Sequence, residues 1–230
     1  MTDNSRPDAT RKTHLEIPGF NPAMLTLQDL ETLTGLMRKY QVPVLRITGG
    51  QRVLFPDLDQ EQYQALRERL EIPEPANRPA NRIHMVQACR GTRGCRYGMG
   101  DSVALKEKIQ TLELDGPLPA KVKVGISGCR MCCCESWMRD VGLVREQKGW
   151  RLSFGGNSGG RPRIGDLVAE HLDEDQVLVL VTRLLNFYIR HAGPRVRTAR
   201  FMERIGLEEL RKNVLGRDWC EPEHHNLETR

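Results

Sequence analysis

The amino-acid sequence predicts an α/β protein of mixed helices and strands (α+β in its first part), built as a small N-terminal unit and a larger domain around a metal centre. Within residues 16–74, a helical pattern, a pair of short strands and a second helical pattern follow one another, which is typical of a small α+β unit. Beyond a proline-rich stretch, six of the seven cysteines lie between Cys89 and Cys134. Thiols clustered in this way favour a metal centre over scattered core cysteines.

The N-terminal unit is predicted to start with an amphipathic helix. Thr26 is a suitable N-cap, Asp29 lies three residues further on, and apolar residues recur at helical spacing up to about Tyr40. Alternating apolar residues around a Gly-Gly turn and a second apolar stripe predict the next elements, strands at 44–48 and 51–55 and a helix at about 59–70. Residues 1–15 are predicted to be a disordered tail, because about the first twelve are polar and show no periodicity.

A second domain is predicted at 80–215, after a linker at 73–79 that contains three prolines. A loose polar tail is predicted at 216–230. The elements predicted for the domain are a helix at 101–112, a strand at 118–127, a hairpin-like stretch up to 154, a glycine-rich loop at 155–160, and helices at 173–190 and 198–213.

Composition excludes several classes of function. A net charge of +5 with 28% charged and 39% hydrophobic residues is ordinary for a soluble globular protein. No run approaches the roughly 18 apolar residues of a membrane-spanning helix, and the N-terminus lacks the apolar core of a signal peptide, so we expect a cytoplasmic protein without membrane contact. Aromatic residues make up only 5% and no basic helix with interleaved aromatics is found, so we expect no nucleic-acid partner.

The cysteine spacing leaves two kinds of metal centre open. An odd number of cysteines in two clusters does not suit a disulfide framework. Cys129 and Cys132 form a C-x-x-C pair that a structural zinc site would use, but Cys89 and Cys95 are separated more widely than is usual for zinc ligands. The set Cys89, Cys95, Cys129 and Cys133 instead offers C-x₅-C and C-x₃-C, four thiolates for an iron–sulfur cluster, and the spacing favours this alternative.

Four motifs in order resemble the sirohaem-containing sulfite and nitrite reductases, most closely the small, single-unit type. C-x₅-C is followed by Ser-Gly-C-x₃-C, and Leu-Pro-Ala-Lys121-Val-Lys123 precedes the second pair. Arg46-Ile-Thr-Gly-Gly-Gln51 is similar to the R-x-T-x-x-Q segment of the family, and the Gly-Gly-Asn-Ser-Gly-Gly-Arg-Pro-Arg stretch at 155–163 is similar to its glycine-rich loop. Together the motifs cover roughly residues 16 to 210.

The resemblance implies two cofactors, a [4Fe–4S] cluster and sirohaem, in a domain that follows a ferredoxin-like half-domain. By position, the cluster ligands would be Cys89, Cys95, Cys129 and Cys133, and the Cys133 thiolate would also bridge to the sirohaem iron. The neighbouring Cys132 and Cys134 leave the register open, since Cys132 can substitute for Cys133; otherwise both are small buried residues close to the cofactor.

The resemblance also implies which cationic side chains bind the substrate and which bind the cofactor. Arg46, Lys121 and Lys123 would hold a small anionic substrate, sulfite or nitrite, and the lysines could relay protons. Sirohaem carries many carboxylates, which accounts for the arginines close to the glycine-rich and cysteine-rich stretches. Arg52, Arg90, Arg161 and Arg163 are expected to bind these carboxylates.

Two departures from the family pattern bear on the activity. Gly50 stands where many members have a second arginine, and this chain has one copy of a unit that well-studied members contain twice. Arg46, Lys121 and Lys123 would therefore reach substrate across a homodimer, or the protein would be a non-catalytic electron-transfer or sirohaem-handling module of the same fold. No strand–helix G-x-G-x-x-G motif for a nucleotide is present, so electrons would come from an external donor such as a ferredoxin-like carrier.

Overall fold

The computed structural model describes residues 13–73, 83 and 85–216, and it divides the chain into two compact units between residues 78 and 79. Most of the predicted linker and of both predicted tails therefore lies outside the described residues. None of the helices in the described part of the chain is both long and apolar enough to cross a membrane.

The N-terminal unit packs two helices on a three-stranded antiparallel sheet of order β1-β3-β2. Its elements are β1 (Thr13–Ile17), α1 (Leu27–Lys39), β2 (Arg46–Ile47), β3 (Val53–Leu58) and α2 (Gln60–Arg69). The predicted capping box of α1 is confirmed: the Thr26 side chain accepts the Asp29 N–H, and the Asp29 carboxylate accepts the Thr26 N–H. Leu15, Leu33, Phe55 and Leu66 are among the buried residues that form its core.

Two predictions for this unit are wrong in part. Residues 13–15 were expected in the disordered tail, but they belong to β1, where Leu15 is buried against β3. Burying that apolar side chain orders a segment whose polar composition gives little local signal. The strand expected at 44–48 is reduced to the two residues of β2 at the edge of the sheet.

The second unit is built on a five-stranded mixed sheet of order β4-β5-β6-β7-β8. Strands β4 to β6 are parallel, and β6, β7 and β8 are antiparallel. Its elements are β4 (Val86–Ala88), α3 (Ser102–Gln110), β5 (Val124–Ser127), β6 (Val141–Glu146), β7 (Gly149–Phe154), β8 (Asp166–Leu172), α4 (Glu174–His191), α5 (Thr198–Ile205) and α6 (Leu207–Val214). The core lies between this sheet and α3 to α6, with Phe154, Tyr188 and Phe201 in edge-to-face contact.

Helices α3 and α4 and the β6–β7 hairpin match the predictions, but four other elements differ. Strands β4 and β8 were not predicted. The helix expected at 198–213 is two helices, because Gly206 adopts φ +77°, a left-handed conformation that interrupts the helix. The strand expected at 118–127 begins only at Val124, because the Lys123 N–H donates to the Asp140 carboxylate instead of to a neighbouring strand.

The parallel strands give the second unit two distinct edges. The loops that start at Cys89 and Gly128 follow β4 and β5, and we call the loops 89–100 and 128–135 the cysteine edge. Residues 119–123 and 139–140 precede β5 and β6, and the loop 155–165 joins them because β7 runs antiparallel to β6; we call these segments the lysine edge. The four residues of β5 between the edges span about 13 Å, since a strand rises about 3.3 Å per residue.

Candidate metal centre

The cysteine edge consists of two loops that pack backbone against backbone. The Met99 N–H donates to the Gly128 carbonyl at 2.8 Å. A Cβ on Gly128 would lie 2.8 Å from the Gly91 Cα, and one on Gly91, which has φ +52°, would lie 2.3 Å from the Gly100 oxygen. Only glycine fits at these contacts, and the glycines bring the cysteines of the two loops together.

The thiol of Cys89 lies where backbone and side-chain groups can support a thiolate. Its Sγ accepts a hydrogen bond from the Gly128 N–H at 3.1 Å and lies 3.4 Å from the Ser102 hydroxyl. The Ser102 hydroxyl donates to the Cys89 carbonyl at 2.9 Å, which fixes the first turn of α3 against the loop. An amide N–H aimed at sulfur is the outer contact that stabilises the charge of a metal-bound thiolate.

Burial and neighbouring thiols raise the pKa of two of the described cysteines, Cys133 and Cys134. Desolvation raises the pKa of the Cys133 thiol, although part of this side chain is open to solvent, and the neighbouring Cys89, Cys129 and Cys95 raise that pKa further. These are the four residues that the sequence predicts as cluster ligands, and the structure brings them together at one edge. The repulsion among four thiolates is what bound iron would offset.

A zinc site and an iron–sulfur cluster differ in the spacing that they require between their thiolates. Among the described residues, no three His, Cys, Asp or Glu side chains are close enough to hold a single metal ion. Zinc needs every sulfur ligand about 2.3 Å from one ion. A four-iron cluster binds one thiolate on each iron and therefore spaces its ligands more widely.

Cys132 and Cys134 have surroundings that differ from those of Cys133. Cys134 is buried, with 4% of its surface exposed, and burial is the main cause that raises the pKa of its thiol to about 12. Its N–H donates to the Ser127 hydroxyl at 3.2 Å, which holds it against β5. Cys132 is half-buried and occupies the left-handed position of the turn, at φ +54°. Cys133 is the most exposed of the three.

Exposed apolar side chains and arginines lie on the same two loops as Cys133. Tyr97, Met99 and Met131 are exposed by 52%, 38% and 69%. Arg90 and Arg96 are also exposed, and the Arg96 guanidinium stacks on the Tyr97 ring at 4.6 Å. Exposed apolar side chains and arginines are the residue types that a flat macrocycle with carboxylates requires, so the residues present fit sirohaem.

The other predicted cations of this unit lie at the lysine edge. Lys121 is exposed and Lys123 is half-buried, both just before β5. The Arg163 guanidinium is engaged within its loop, 2.6 Å from the Asp166 carboxylate and 2.9 Å from the Gly155 carbonyl. The Arg161 side chain is exposed, while its carbonyl accepts from the Asn157 amide. These four residues therefore lie on the segments of the lysine edge, whereas Arg90 lies on a cysteine loop.

Arg46 and Arg52 belong to the N-terminal unit and are described within it. Arg46 is exposed on β2, and the Arg52 guanidinium pairs with Glu16 at 3.4 Å.

Comparison with known proteins decides the family. The family described as "Nitrite and sulphite reductase 4Fe-4S domain" matches residues 80–222, more than half of the chain. This chain belongs to that family. It is 41% identical over 204 residues to an assimilatory-type sulfite reductase from Nitratidesulfovibrio vulgaris, which covers 89% of this chain and 93% of the relative. The family, the enzyme class, and the [4Fe–4S] and sirohaem cofactors predicted from the sequence are thereby confirmed.

Two further comparisons show how the family uses this unit. The chain is 33% identical over 207 residues to the nitrite reductase [NAD(P)H] large subunit of Klebsiella oxytoca, matching 88% of this chain but only 22% of that subunit. A crystal structure of dissimilatory sulfite reductase I superposes on 94% of this chain with a TM-score of 0.71 and 12% identity, covering 73% of that chain. This second likeness confirms the predicted α/β fold.

Two residues at the lysine edge were missed by the sequence analysis. Asp140 is 2% exposed and pairs with Arg197, which lies 57 positions further along the chain. No motif or spacing marks either residue, because their pairing depends on the position of α5 beside the start of β6.

Proposed function

We propose that this protein reduces sulfite to sulfide, with nitrite reduction to ammonia as the second candidate reaction. The observation that carries the proposal is the group of four thiols at the cysteine edge, of which Cys133 is exposed. Sulfite takes precedence because the sulfite reductase relative matches almost end to end, whereas the nitrite reductase relative matches over about a fifth of its length.

Four thiolates would hold the cluster, those of Cys89, Cys95, Cys129 and Cys133. When bound, the cluster and sirohaem supply electrons and an iron that takes the anionic substrate. Cys133 is the ligand we propose to bridge the two groups, which is supported by its exposure on a loop that also carries the exposed Met131. Arg90, on the first of these loops, would bind a sirohaem carboxylate.

We propose a homodimer because the predicted lysines and the cysteines lie at opposite ends of β5. Lys121 and Lys123 are proposed to bind the anionic substrate and to donate protons, but about 13 Å of β5 separates them from the cysteine edge of their own chain. We therefore propose that the lysine edge of one protomer faces the cysteine edge of its partner, so that a two-fold axis creates two equivalent sites. Arg161 and Arg163 would bind sirohaem carboxylates across the same interface, and Arg46 and Arg52 are proposed to contribute from the N-terminal unit.

Electrons are proposed to come from an external carrier of ferredoxin type, since the chain has no nucleotide-binding motif of its own. A cytoplasmic location is proposed as well, because unpaired cysteines persist in a reducing compartment.

Spectroscopy of anaerobically purified protein tests the cofactors and the substrate. Sirohaem bands that shift when sulfite is added to the dithionite-reduced protein, together with sulfite-dependent oxidation of a reduced dye, would support the reductase. The ratio of kcat/KM for sulfite and nitrite would decide between the substrates. Sirohaem bands that respond to neither anion would favour the non-catalytic electron-transfer or sirohaem-handling module.

Complementation between two inactive variants tests the homodimer. Cys133→Ser removes a cluster ligand from one protomer, and the double variant Lys121→Gln/Lys123→Gln removes both lysines from another. Heterodimers formed by mixing them retain one intact site, so random exchange should restore about a quarter of the wild-type activity. Full activity in a protein that stays monomeric at the assay concentration would contradict the shared site.

A further inference from the structure

Asp140 is a buried carboxylate that holds the lysine edge together. Its Oδ2 accepts the Lys123 N–H at 2.8 Å, and both of its oxygens accept from the Arg197 Nη2, at 3.0 and 2.9 Å. The Thr198 hydroxyl donates to its Oδ1. A carboxylate with 2% exposure is stable only when its charge is compensated in this way.

The backbone of the same residue fixes the glycine-rich loop. The Gly155 N–H donates to the Asp140 carbonyl at 2.9 Å, and the Gly156 N–H donates to the Arg139 carbonyl at 3.0 Å. The Val141 N–H donates to the Lys123 carbonyl at 3.2 Å. Asp140 therefore joins the Lys-x-Lys segment, the glycine-rich loop and the start of α5.

These three segments enclose a pocket of about 150 Å³, lined by Lys123, Met138, Asp140, Ser158, Arg197 and the backbone of Gly156 and Gly159. The Lys123 ammonium makes no ion pair or hydrogen bond with the residues that the structure describes. Of the described polar atoms, the Arg197 Nε is one of three that are buried without a hydrogen-bond partner. Two cations against one carboxylate leave the pocket with a net positive charge, which suits an oxyanion group.

We infer that this pocket binds an oxyanion group through Lys123 and Arg197, and that Asp140 is the positioning residue that orients both. The inference rests on the proposed function for the identity of the group, either substrate sulfite or a carboxylate arm of sirohaem. The Asp140 carboxylate accepts from the backbone N–H of Lys123, so the Lys123 ammonium stays unpaired among the described residues. The carboxylate binds only the Nη2 end of the Arg197 guanidinium. It therefore orders both cations without cancelling their combined charge.

Calorimetric titration with sulfate, an oxyanion that the protein would not reduce, tests the pocket on the cofactor-loaded protein. Lys123→Gln should weaken sulfate binding about tenfold, because it removes one charged donor. Lys212→Gln is the matched control, since Lys212 is exposed on α6 and its loss changes the net charge equally. Equal sulfate affinity in the wild type, Lys123→Gln and Arg197→Gln would overturn the inference.

The source of the oxyanion group is decided by two further measurements on the Lys123→Gln protein. A raised KM for sulfite at unchanged sirohaem content identifies the substrate, and reduced sirohaem content at unchanged KM identifies a carboxylate arm of the cofactor. Sulfate binding that depends on Lys123 in a protein without reductase activity would support the pocket and reject the proposed function. Reductase activity with unaltered sulfate binding in the variants would support the proposed function and reject the pocket.

The positioning role is tested with Asp140→Asn, which keeps the volume and removes the charge. We expect this variant to raise the KM for sulfite and weaken sulfate binding about tenfold per folded molecule, while kcat changes little. Because the loss of a buried charge costs stability, folded protein is quantified by circular dichroism. Thr198→Val is the second variant, since it removes one donor to Asp140 but neither cation. Its expected effect is smaller and in the same direction. Unchanged KM and sulfate affinity in both variants would reject the positioning role.

Discussion

The contact between the two cysteine loops predicts that a single methyl group at Gly128 will prevent cluster assembly. In Gly128→Ala the added carbon would lie 2.8 Å from the Gly91 Cα and 3.0 Å from the Gly100 oxygen. Carbon atoms in contact normally lie about 3.5–4.0 Å apart, so the loops would have to separate by about 1 Å. Both contacts are to backbone, so no side-chain rotation relieves them.

The expected cost follows from overpacking and from one lost hydrogen bond. Inserting a methyl group into a closely packed site costs about 1–3 kcal/mol. The separation would also lengthen the 3.1 Å contact between the Gly128 N–H and the Cys89 Sγ. Cys89 and Cys129 would then no longer be held at the spacing of one cluster, so we expect iron content to fall more steeply than stability.

Urea denaturation and iron analysis together measure both effects. A loss of about 1–3 kcal/mol should lower the urea midpoint by roughly 1 M. Gly116→Ala is the control in the same unit, because its added carbon would meet only the Ile189 Cγ2, at an ordinary 3.7 Å. Wild-type iron content and an unchanged midpoint in Gly128→Ala would refute the conclusion that the two loops need glycine to hold the cluster.

Two further perturbations separate structural from ligand roles. Cys133→Ser should abolish the cluster absorbance, whereas Cys134→Ala should keep it and cost about 1 kcal/mol of stability, because Cys134 is buried in the core. Iron content and urea denaturation measure these two effects. The reverse pattern would show that Cys134, and not Cys133, is the cluster ligand. Burial, with a smaller contribution from Asp140, raises the pKa of Tyr188 from 10.0 to about 12. Between pH 10 and 12 the unfolded phenol ionises while the folded one stays neutral, so the free energy of unfolding should fall as pH rises, and Tyr188→Phe should fall less steeply. Identical pH slopes in urea titrations of the two proteins would contradict this.

Local signals in the sequence predicted the elements that local interactions stabilise. The capping boxes of α1 and α4 show this best, since a side chain and a backbone N–H three residues away satisfy each other without help from the rest of the fold. The cysteine spacing likewise selected Cys133, because a tight turn brings it close to Cys129 and the other loop.

Long-range pairing determined what the sequence did not predict. The Lys-Val-Lys-Val alternation before β5 has the period of a strand, but Pro119 has no N–H to donate, and the Lys123 N–H is taken by Asp140. Strand β4 has only three residues and exists because β5 pairs with it. The pocket of Lys123 and Arg197 depends on residues far apart in sequence, so no sequence motif indicates it.

The separation of the two edges also bears on how a single copy of this unit can support a reaction at one iron. Cluster ligands must follow parallel strands here, because the loops after β4 and β5 are the ones that meet through glycine contacts. Lys121 and Lys123, which precede β5, are then displaced from the cysteines by the length of that strand, about 13 Å, whereas the Arg139 side chain before β6 donates to the Cys134 carbonyl at 3.2 Å. A second copy related by a two-fold axis removes this obstacle for both sites at once, since each lysine edge can face the partner's cysteines. If the protein proves to be an active monomer, the substrate-binding cations must instead be among the arginines of the cysteine edge, with Arg90 and Arg96 the first to replace.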